Sequence, residues 1–530
     1  MHVPIRIDDV LRRTVRLYPD VTAVVEGDQR WTYSKLQEEI HQLARAMNNL
    51  GVTKGTRVAV LSPNTTAMME IYFACFQLGA VVVPLNTRLL SLDYEYIVNH
   101  SGAELFFVDA ELVHHIEPVK DQLHSVKNFV LTPAPNFPQQ LEGWVSFQSF
   151  IEAESTTPLI TPIEETDYAT ILYTSGTTGK PKGVIHTHRT LYFNMINTII
   201  HLRAQDHDVL LHTLPIFHVN GWGTPFAFTA VGAKHVMLRK IDPVLIHHLI
   251  KTEGVSVACM APTVLNMLLN EPKFETDKLN QPVRAVLAGS APPPAFVRKV
   301  EQEFGWEFLQ VYGMTECAPF ITVSPVKNHL KSIEENKKFR LKAKAGIPML
   351  NVELRVVDVD GEDVPADGIS VGEIVARGNM VMEGYWLQPE ETARSIVNGW
   401  YYTGDMGTID EEGYIDIVDR KKDIIISGGE NISSIEIEAA LYEHPAILET
   451  AVIAVPHEKW GEVPHAFVVV RSGQQLTEEA LVEFCRGHLP HFKCPKGISF
   501  VSELPKTGSG KIQKIHLRKD FWEGKERLVN

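Results

Sequence analysis

The sequence predicts a multidomain α/β protein: a large N-terminal domain of layered α/β subdomains plus a β subdomain, followed by a small C-terminal α+β domain. Three observations lead there. At 530 residues the chain exceeds what one ordinary core serves. Its first three hundred residues alternate amphipathic helical stretches with short apolar runs, the pattern of strands in largely parallel sheets covered by helices. Near residue 340 the texture changes to short strands punctuated by Asp-Gly and Glu-Gly turns.

In chain order, YSKLQEEIHQLARAMNNL from Tyr33 carries apolar residues at helical spacing. RVAVLSP from Arg57 reads as a buried strand running into a turn, as do AELFFVDA from Ala103 and VSVACMAP from Val255. VKNHLKSIEENKKFRLKAKAG from Val326 is a basic, mostly polar helix-like insertion, read as a solvated surface helix. NVELRVVDVDGEDVPADG, GEIVARG and YYTGDMGTIDEEGYIDIVDR form the β subdomain. SSIEIEAALYEHPAILETAVIAVP, HAFVVV and LTEEALVEFCRGHL form the closing α+β unit. The domain joint is placed at Asp419–Asp423, giving domains 1–420 and 421–530. No internal repeat or low-complexity tract is present.

Composition excludes several classes. Hydrophobic residues make up 44% and charged residues 22% of the chain, the balance of a globular enzyme. A formal charge of −15 argues against a polyanion partner such as nucleic acid, because phosphate-backbone binding is driven by counterion release at basic patches. The five cysteines, Cys75, Cys259, Cys317, Cys485 and Cys494, form no CxxC pair and read as free thiols packed in or near the core. The N-terminus lacks the apolar stretch of a signal peptide, and no apolar run approaches the ~20 residues that span a bilayer. A cytoplasmic protein is expected, with peripheral membrane contact left open.

The densest chemistry lies in TSGTTGKPKG, Thr174 to Gly183, directly after the strand-like ATILY. Three glycines permit tight turns. Thr174, Ser175, Thr177 and Thr178 supply hydroxyls, and Lys180 and Lys182 supply charge, to polyphosphate oxygens. The spacing is not that of a Walker loop.

This string resembles the phosphate loop of the adenylate-forming superfamily of acyl-CoA synthetases, peptide-synthetase adenylation domains and luciferases. Further motifs follow in that family's order, and the resemblance covers about residues 8 to 520. It implies that the C-terminal domain is mobile and that ATP is a cosubstrate. The implied nucleotide site comprises Thr174, Ser175, Gly176, Thr177, Thr178, Gly179 and Lys182. AGSAPP adds Gly289, Ser290 and Ala291 against the adenine, and YGMTE adds Tyr312, Gly313 and Thr315. Asp405 of YYTGD and Arg420 hold the ribose. Glu316, with Thr174 nearby, is the implied magnesium site, because a hard carboxylate oxygen is what that ion prefers. Lys511 of PKTGSGKI is the implied adenylation lysine: a carboxylate attacking an α-phosphate brings two anions together, and a cation bridging them stabilises the developing charge. Catalytic roles thus fall to Lys511, Glu316 and Thr174.

Two features resemble the CoA-using branch. DRKKDIIISGGENIS from Asp419 is similar to its hinge and pantetheine-tunnel loop, with Lys422 at the hinge and Gly428 and Gly429 beside the tunnel. HEKWGE is similar to the loop whose Trp460 packs on the CoA arm. Many relatives carry a lysine four residues after the hinge position, where this chain has Ile426, so that lysine's role is not transferred. PIFHVNGWG places His218, Asn220, Gly221 and Trp222, with Val311, where relatives line the acyl channel. No Asp stands ready to receive an amino group, which disfavours amino acids. The resemblance implies an ATP-dependent acid–thiol ligase that forms acyl-CoA through an acyl-adenylate, on a medium- or long-chain fatty acid in lipid metabolism. Short-chain or aryl acids, or loading of a carrier protein, are the alternatives, and a homodimer is a possible assembly.

Overall fold

A computed structural model describes the chain except residues 138–139, 175–179, 277–278, 280, 290–291, 429, 507–511 and 523–530. It divides into two compact units. One comprises Met1–Ala343, Ile347–Glu353 and Arg377–Tyr401; the other comprises Lys344–Gly346, Leu354–Ala376 and Tyr402–Asn530.

The first unit is built on two sheets. In the eight-stranded sheet the order runs from Gly384–Tyr385 through Lys182–Thr187, Tyr168–Thr174, Val81–Pro84, Arg57–Leu61, Leu105–Asp109 and Asn128–Thr132 to Val145–Ser146. Its middle is parallel: Arg57–Leu61 pairs in that sense with both neighbours. The nine-stranded sheet places Val257–Met260, Arg284–Leu287 and Glu307–Gly313 side by side in parallel and continues through the antiparallel Phe320–Val323. These strands read as near-continuous apolar runs because helices cover both faces of a parallel sheet.

The helices follow their local signals. Tyr33–Asn49 starts where the Thr32 side chain accepts a hydrogen bond from the Lys35 amide, at 3.2 Å, and turns Leu36, Ile40, Leu43 and Met47 inward. Thr66–Leu78 is capped by Thr65 and stopped at Gly79, whose φ of 68° a side chain would resist. Every residue of that helix is buried, so it is a core helix between layers and not an amphipathic one. The basic insertion is less helical than its sequence predicts. Its first half is one short 3-10 turn at Asn328–Leu330, and a regular helix forms only over Glu335–Ala343, anchored by the buried Phe339.

In the second unit, Trp400–Ile409 pairs antiparallel with Ile415–Arg420, in register from Asp405↔Arg420 to Ile409↔Ile415. A further sheet orders Glu430–Ile432, Ile425–Ser427, Gly461–Val470 and Ile447–His457, with Gly497–Phe500 added parallel to Gly461–Val470. Helices Ser434–Tyr442 and Glu478–His488 pack Ile437, Leu441, Leu481 and Cys485 onto it. All five cysteines are free and buried. No helix among the described residues is long and apolar enough to cross a membrane.

Candidate active site

The strands Tyr168–Thr174 and Lys182–Thr187 form an antiparallel hairpin whose last paired residues are Thr174 and Lys182. The two ends of the phosphate-loop string, Thr174 and Lys182, are therefore paired across this ladder. Ser175, Gly176, Thr177, Thr178 and Gly179 lie outside the described residues. Lys182 is buried and ion-paired with Glu391, and its Nζ sits 5.3 Å from the centre of the Tyr385 ring.

The nine-stranded sheet brings the adenine candidates together. Leu287 and Gln310 are paired in parallel register, so Gly289 and Tyr312, each two residues further on, emerge at neighbouring carboxyl ends, where open α/β sheets bind ligands. Gly289 has φ of 107°. Ser290 and Ala291 lie outside the described residues. Gly313 is required sterically, because a Cβ there would stand 1.9 Å from the Pro319 carbonyl oxygen.

Thr315 and Glu316 ride on the one-turn helix Thr315–Cys317 that follows. Four contacts hold this turn. Cys317 N–H donates to Met314 O at 2.9 Å, and Met382 N–H donates to Glu316 O at 2.8 Å. The imidazole Nε2–H of His186 donates to Thr315 O at 2.7 Å, and the Tyr385 hydroxyl donates to Glu316 Oε1 at 3.1 Å. His186 is wholly buried, and that burial pushes it down to about 4, so it is a neutral donor at physiological pH. The strand Lys182–Thr187 thus joins the hairpin to the turn. It carries His186 itself, and it pairs through Val184 with Tyr385.

Beside this turn lies a cavity of about 50 Å³ bounded by Pro84, Leu85, Leu172, Tyr173, Phe217 and His218, with Thr315 at its wall. Of the predicted acyl residues, His218 faces this space. Asn220 is buried behind it, accepting from the Tyr72 hydroxyl at 3.1 Å and donating to Thr170 Oγ1 at 3.3 Å. Trp222 packs edge-on against Phe320 with ring centres 5.6 Å apart. Val311 is fully buried within its strand, opposite Val323. Gly221, with φ of 55°, belongs to a left-handed run that includes Val219, Asn220, Trp222 and Gly223.

In the second unit the predicted ribose pair meets: Arg420 Nε lies 2.6 Å from the buried Asp405 carboxylate, as the strand register dictates. The hinge segment falls inside this unit. Lys422, which burial pushes below the usual amine range, is followed by Asp423, whose carboxylate lies 2.7 Å from the Arg518 guanidinium. Gly428 and Trp460 also meet. Gly428 N–H donates to Trp460 O at 2.8 Å, φ at Gly428 is 60°, and a Cβ there would reach within 2.7 Å of the indole. Trp460 is 43% exposed, with Lys459 Nζ 4.8 Å from the centre of its ring. Gly429 and Lys511 lie outside the described residues. Lys506 and Ile512 form an antiparallel bridge.

Sequence reasoning missed His186, Tyr385 and the Pro84–Leu85 wall. MEGYW, which holds Tyr385, carries no chemical pattern by itself, and only the pairing of Gly384–Tyr385 with Lys182–Thr187 brings it to Glu316.

Among the described residues no three His, Cys, Asp or Glu side chains converge as a metal cage. One carboxylate at a turn is what a magnesium ion requires when nucleotide phosphates and water complete its shell, so Glu316 fits that ion. Phosphate-loop hairpin, strand-end glycine and metal-compatible turn together define an adenylating enzyme with a small C-terminal domain. The chain belongs to the AMP-binding enzyme family, whose model matches residues 11–386, while that of the AMP-binding enzyme C-terminal domain matches residues 436–511. It is 38% identical to a 4-hydroxybutyrate–CoA ligase of Metallosphaera sedula over 96% of this chain and 93% of that one. It is likewise 38% identical to a 2-methylpropanoate–CoA ligase of Humulus lupulus, with the same coverage. An anthranilate CoA ligase in complex with anthranoyl-AMP superposes with a TM-score of 0.89 at 26% identity, covering 98% of both chains. The protein is an adenylate-forming acyl-CoA synthetase.

Proposed function

We propose that this synthetase activates a small carboxylic acid, of about four carbons, as its acyl-adenylate and transfers the acyl group to CoA, releasing pyrophosphate and then AMP. The observation that supports a small acid is the cavity beside Thr315. A water needs roughly 10–15 Å³ by this measure, so about 50 Å³ accommodates a handful of non-hydrogen atoms. A long fatty chain needs several times that space. The two curated relatives are named for four-carbon acids and the structural relative for a small aryl acid, which favours the same alternative over the medium or long chain.

The residues divide the work by chemistry. Thr174 and the phosphate-loop string face the phosphates, and Gly289 and Tyr312 border the adenine. Glu316 holds magnesium, which when bound neutralises charge on the phosphate oxygens. Asp405 and Arg420 address the ribose hydroxyls, His218 closes the acid pocket, and Lys511 supplies the cation for adenylation. The adenylate gives the thiol a good leaving group, which splits one difficult step into two. The exposed indole of Trp460 beside Gly428 offers the CoA arm an apolar contact, with the Lys459 ammonium over the same ring.

The test is AMP release with ATP and magnesium across acetate, butyrate, 2-methylpropanoate, 4-hydroxybutyrate, octanoate, palmitate and benzoate, each with and without CoA. CoA-dependent turnover greatest for a four-carbon acid is expected. Highest turnover on palmitate would sink the small-acid reading, and acid-dependent pyrophosphate exchange without CoA stimulation would move the acceptor elsewhere. Lys511→Ala should cut acyl-adenylate formation by at least a hundredfold and spare CoA attack on supplied acyl-adenylate. Equal loss in both half-reactions would remove that assignment.

A further inference from the structure

The Tyr385 side chain is buried, yet its hydroxyl has a defined task. It donates to Glu316 Oε1 at 3.1 Å. The ring is fixed independently of this polar contact. Its backbone pairs with Val184, its N–H donates to Thr392 Oγ1 at 2.9 Å, and Lys182 lies over its face. A glutamate side chain has three rotatable bonds. One donor of fixed position selects among its rotamers and occupies Oε1. Carboxylates that ligate metals are themselves commonly hydrogen-bonded, and removing such an outer partner typically costs 10–100-fold in metal affinity.

We propose that Tyr385 is a positioning residue for adenylation: its hydroxyl sets the Glu316 carboxylate in the orientation that receives magnesium with ATP. The proposal rests on the assignment of Glu316 as the metal carboxylate. It makes the strand Lys182–Thr187 a common support for both halves of the nucleotide-phosphate site, since that strand begins at the phosphate hairpin and pairs with the strand bearing Tyr385. Plain core packing of the phenol ring is the competing account, and it assigns the hydroxyl no effect on magnesium.

Tyr385→Phe separates the two accounts because it keeps the ring and deletes one oxygen. Calorimetric titration of ATP into the full-length protein, with and without magnesium, is the direct measurement, followed by the magnesium dependence of acid-dependent pyrophosphate exchange. The expected result is a magnesium half-saturation raised about tenfold, with ATP affinity in the absence of magnesium and KM for the acid unchanged. A Tyr385→Phe midpoint within twofold of wild type overturns the proposal, as does equal weakening of ATP binding with and without magnesium. Wild-type ATP binding indifferent to magnesium would sink the metal assignment of Glu316 and this inference with it. A wild type that responds to magnesium and a variant that matches it overturn only the role of Tyr385.

Discussion

At the scale of single residues, two positions show how backbone geometry commits a side chain's identity. Gly313 lies where strand Glu307–Gly313 passes the returning Pro319, and a Cβ would meet backbone, not a movable side chain, at 1.9 Å. Gly313→Ala should therefore lower stability by roughly 2–3 kcal/mol and weaken ATP binding, because the displaced segment carries Thr315 and Glu316. A variant with an unchanged thermal midpoint would show that the strand has room to shift. Trp460 works in the opposite sense: its indole is exposed and adds little to the core. Trp460→Ala should raise KM for CoA about tenfold, a loss of roughly 1.4 kcal/mol, and leave pyrophosphate exchange within twofold. An unchanged CoA dependence would leave the indole without a part in CoA binding.

At the scale of elements, helix Lys514–Trp522 shows what secures the end of the chain. Lys514 is 15% exposed and donates to Ser434 Oγ at 2.6 Å and to Glu438 at 2.8 Å, with Asp419 and Asp423 close by. Arg518 pairs with Asp423, and Trp522 Nε1–H donates to Ala454 O at 2.9 Å. Removing one partner of a buried pair leaves the other charge unpaired. Lys514→Met should thus destabilise the second unit by roughly 3–5 kcal/mol, and Lys514→Met with Glu438→Leu should recover part of that loss. Additive losses in the double variant, read by thermal unfolding, would show that the pair is not coupled. The left-handed run from Val219 to Gly223 is the other unusual element. Each non-glycine residue there costs on the order of 1–2 kcal/mol, and the segment retains its shape because Tyr72, Thr170 and Phe320 pin it. None of this was legible in FHVNGW. The phosphate-binding chemistry of Thr174–Gly183 was legible, because glycines, hydroxyls and lysines sit within ten residues, but the antiparallel pairing of its two flanking strands was not. The support of Glu316 was not, because Tyr385 and His186 lie far off in sequence and meet it only through sheet order.

At the scale of the whole molecule, the α/β texture and the late β-rich segment could be read because periodicity and turn chemistry are local. The division of contacts could not, because Lys344–Gly346 and Leu354–Ala376 join the second unit through strand pairing across long intervals. The two units also differ in how they meet acid. The first buries four neutral imidazoles. Burial pushes His186 and His188 down to about 4, His212 to about 3, and His235 well below the usual range, with His212 beside it adding to the effect. A group whose folded pKa is depressed stabilises the fold above its unfolded pKa, near 6.5, and that stability is lost as pH falls toward the folded value. His186, His188 and His212 then each cost on the order of 2–3 kcal/mol by pH 4.5, and His235 acts in the same direction. Glu70 opposes this, since burial and the neighbouring Glu39 raise its carboxyl, so acidification relieves it. Asp9 and Asp109, which burial also raises, oppose that loss as well, three carboxyls against four deeply buried imidazoles. In the second unit burial raises Asp416, Asp419 and Glu438, and their contribution grows as pH falls, while burial lowers His465, and Arg518 and Lys514 outweigh burial to hold Asp423 down. The first unit should therefore open before the second as pH drops from 6.5 to 4.5. Amide hydrogen exchange across that range would show protection lost over strands Arg57–Leu61 and Val257–Met260 while Ile447–His457 stays protected. Simultaneous loss in both units, or protection unchanged to pH 4.5, would mean that the buried imidazoles do not govern the acid limit of this fold.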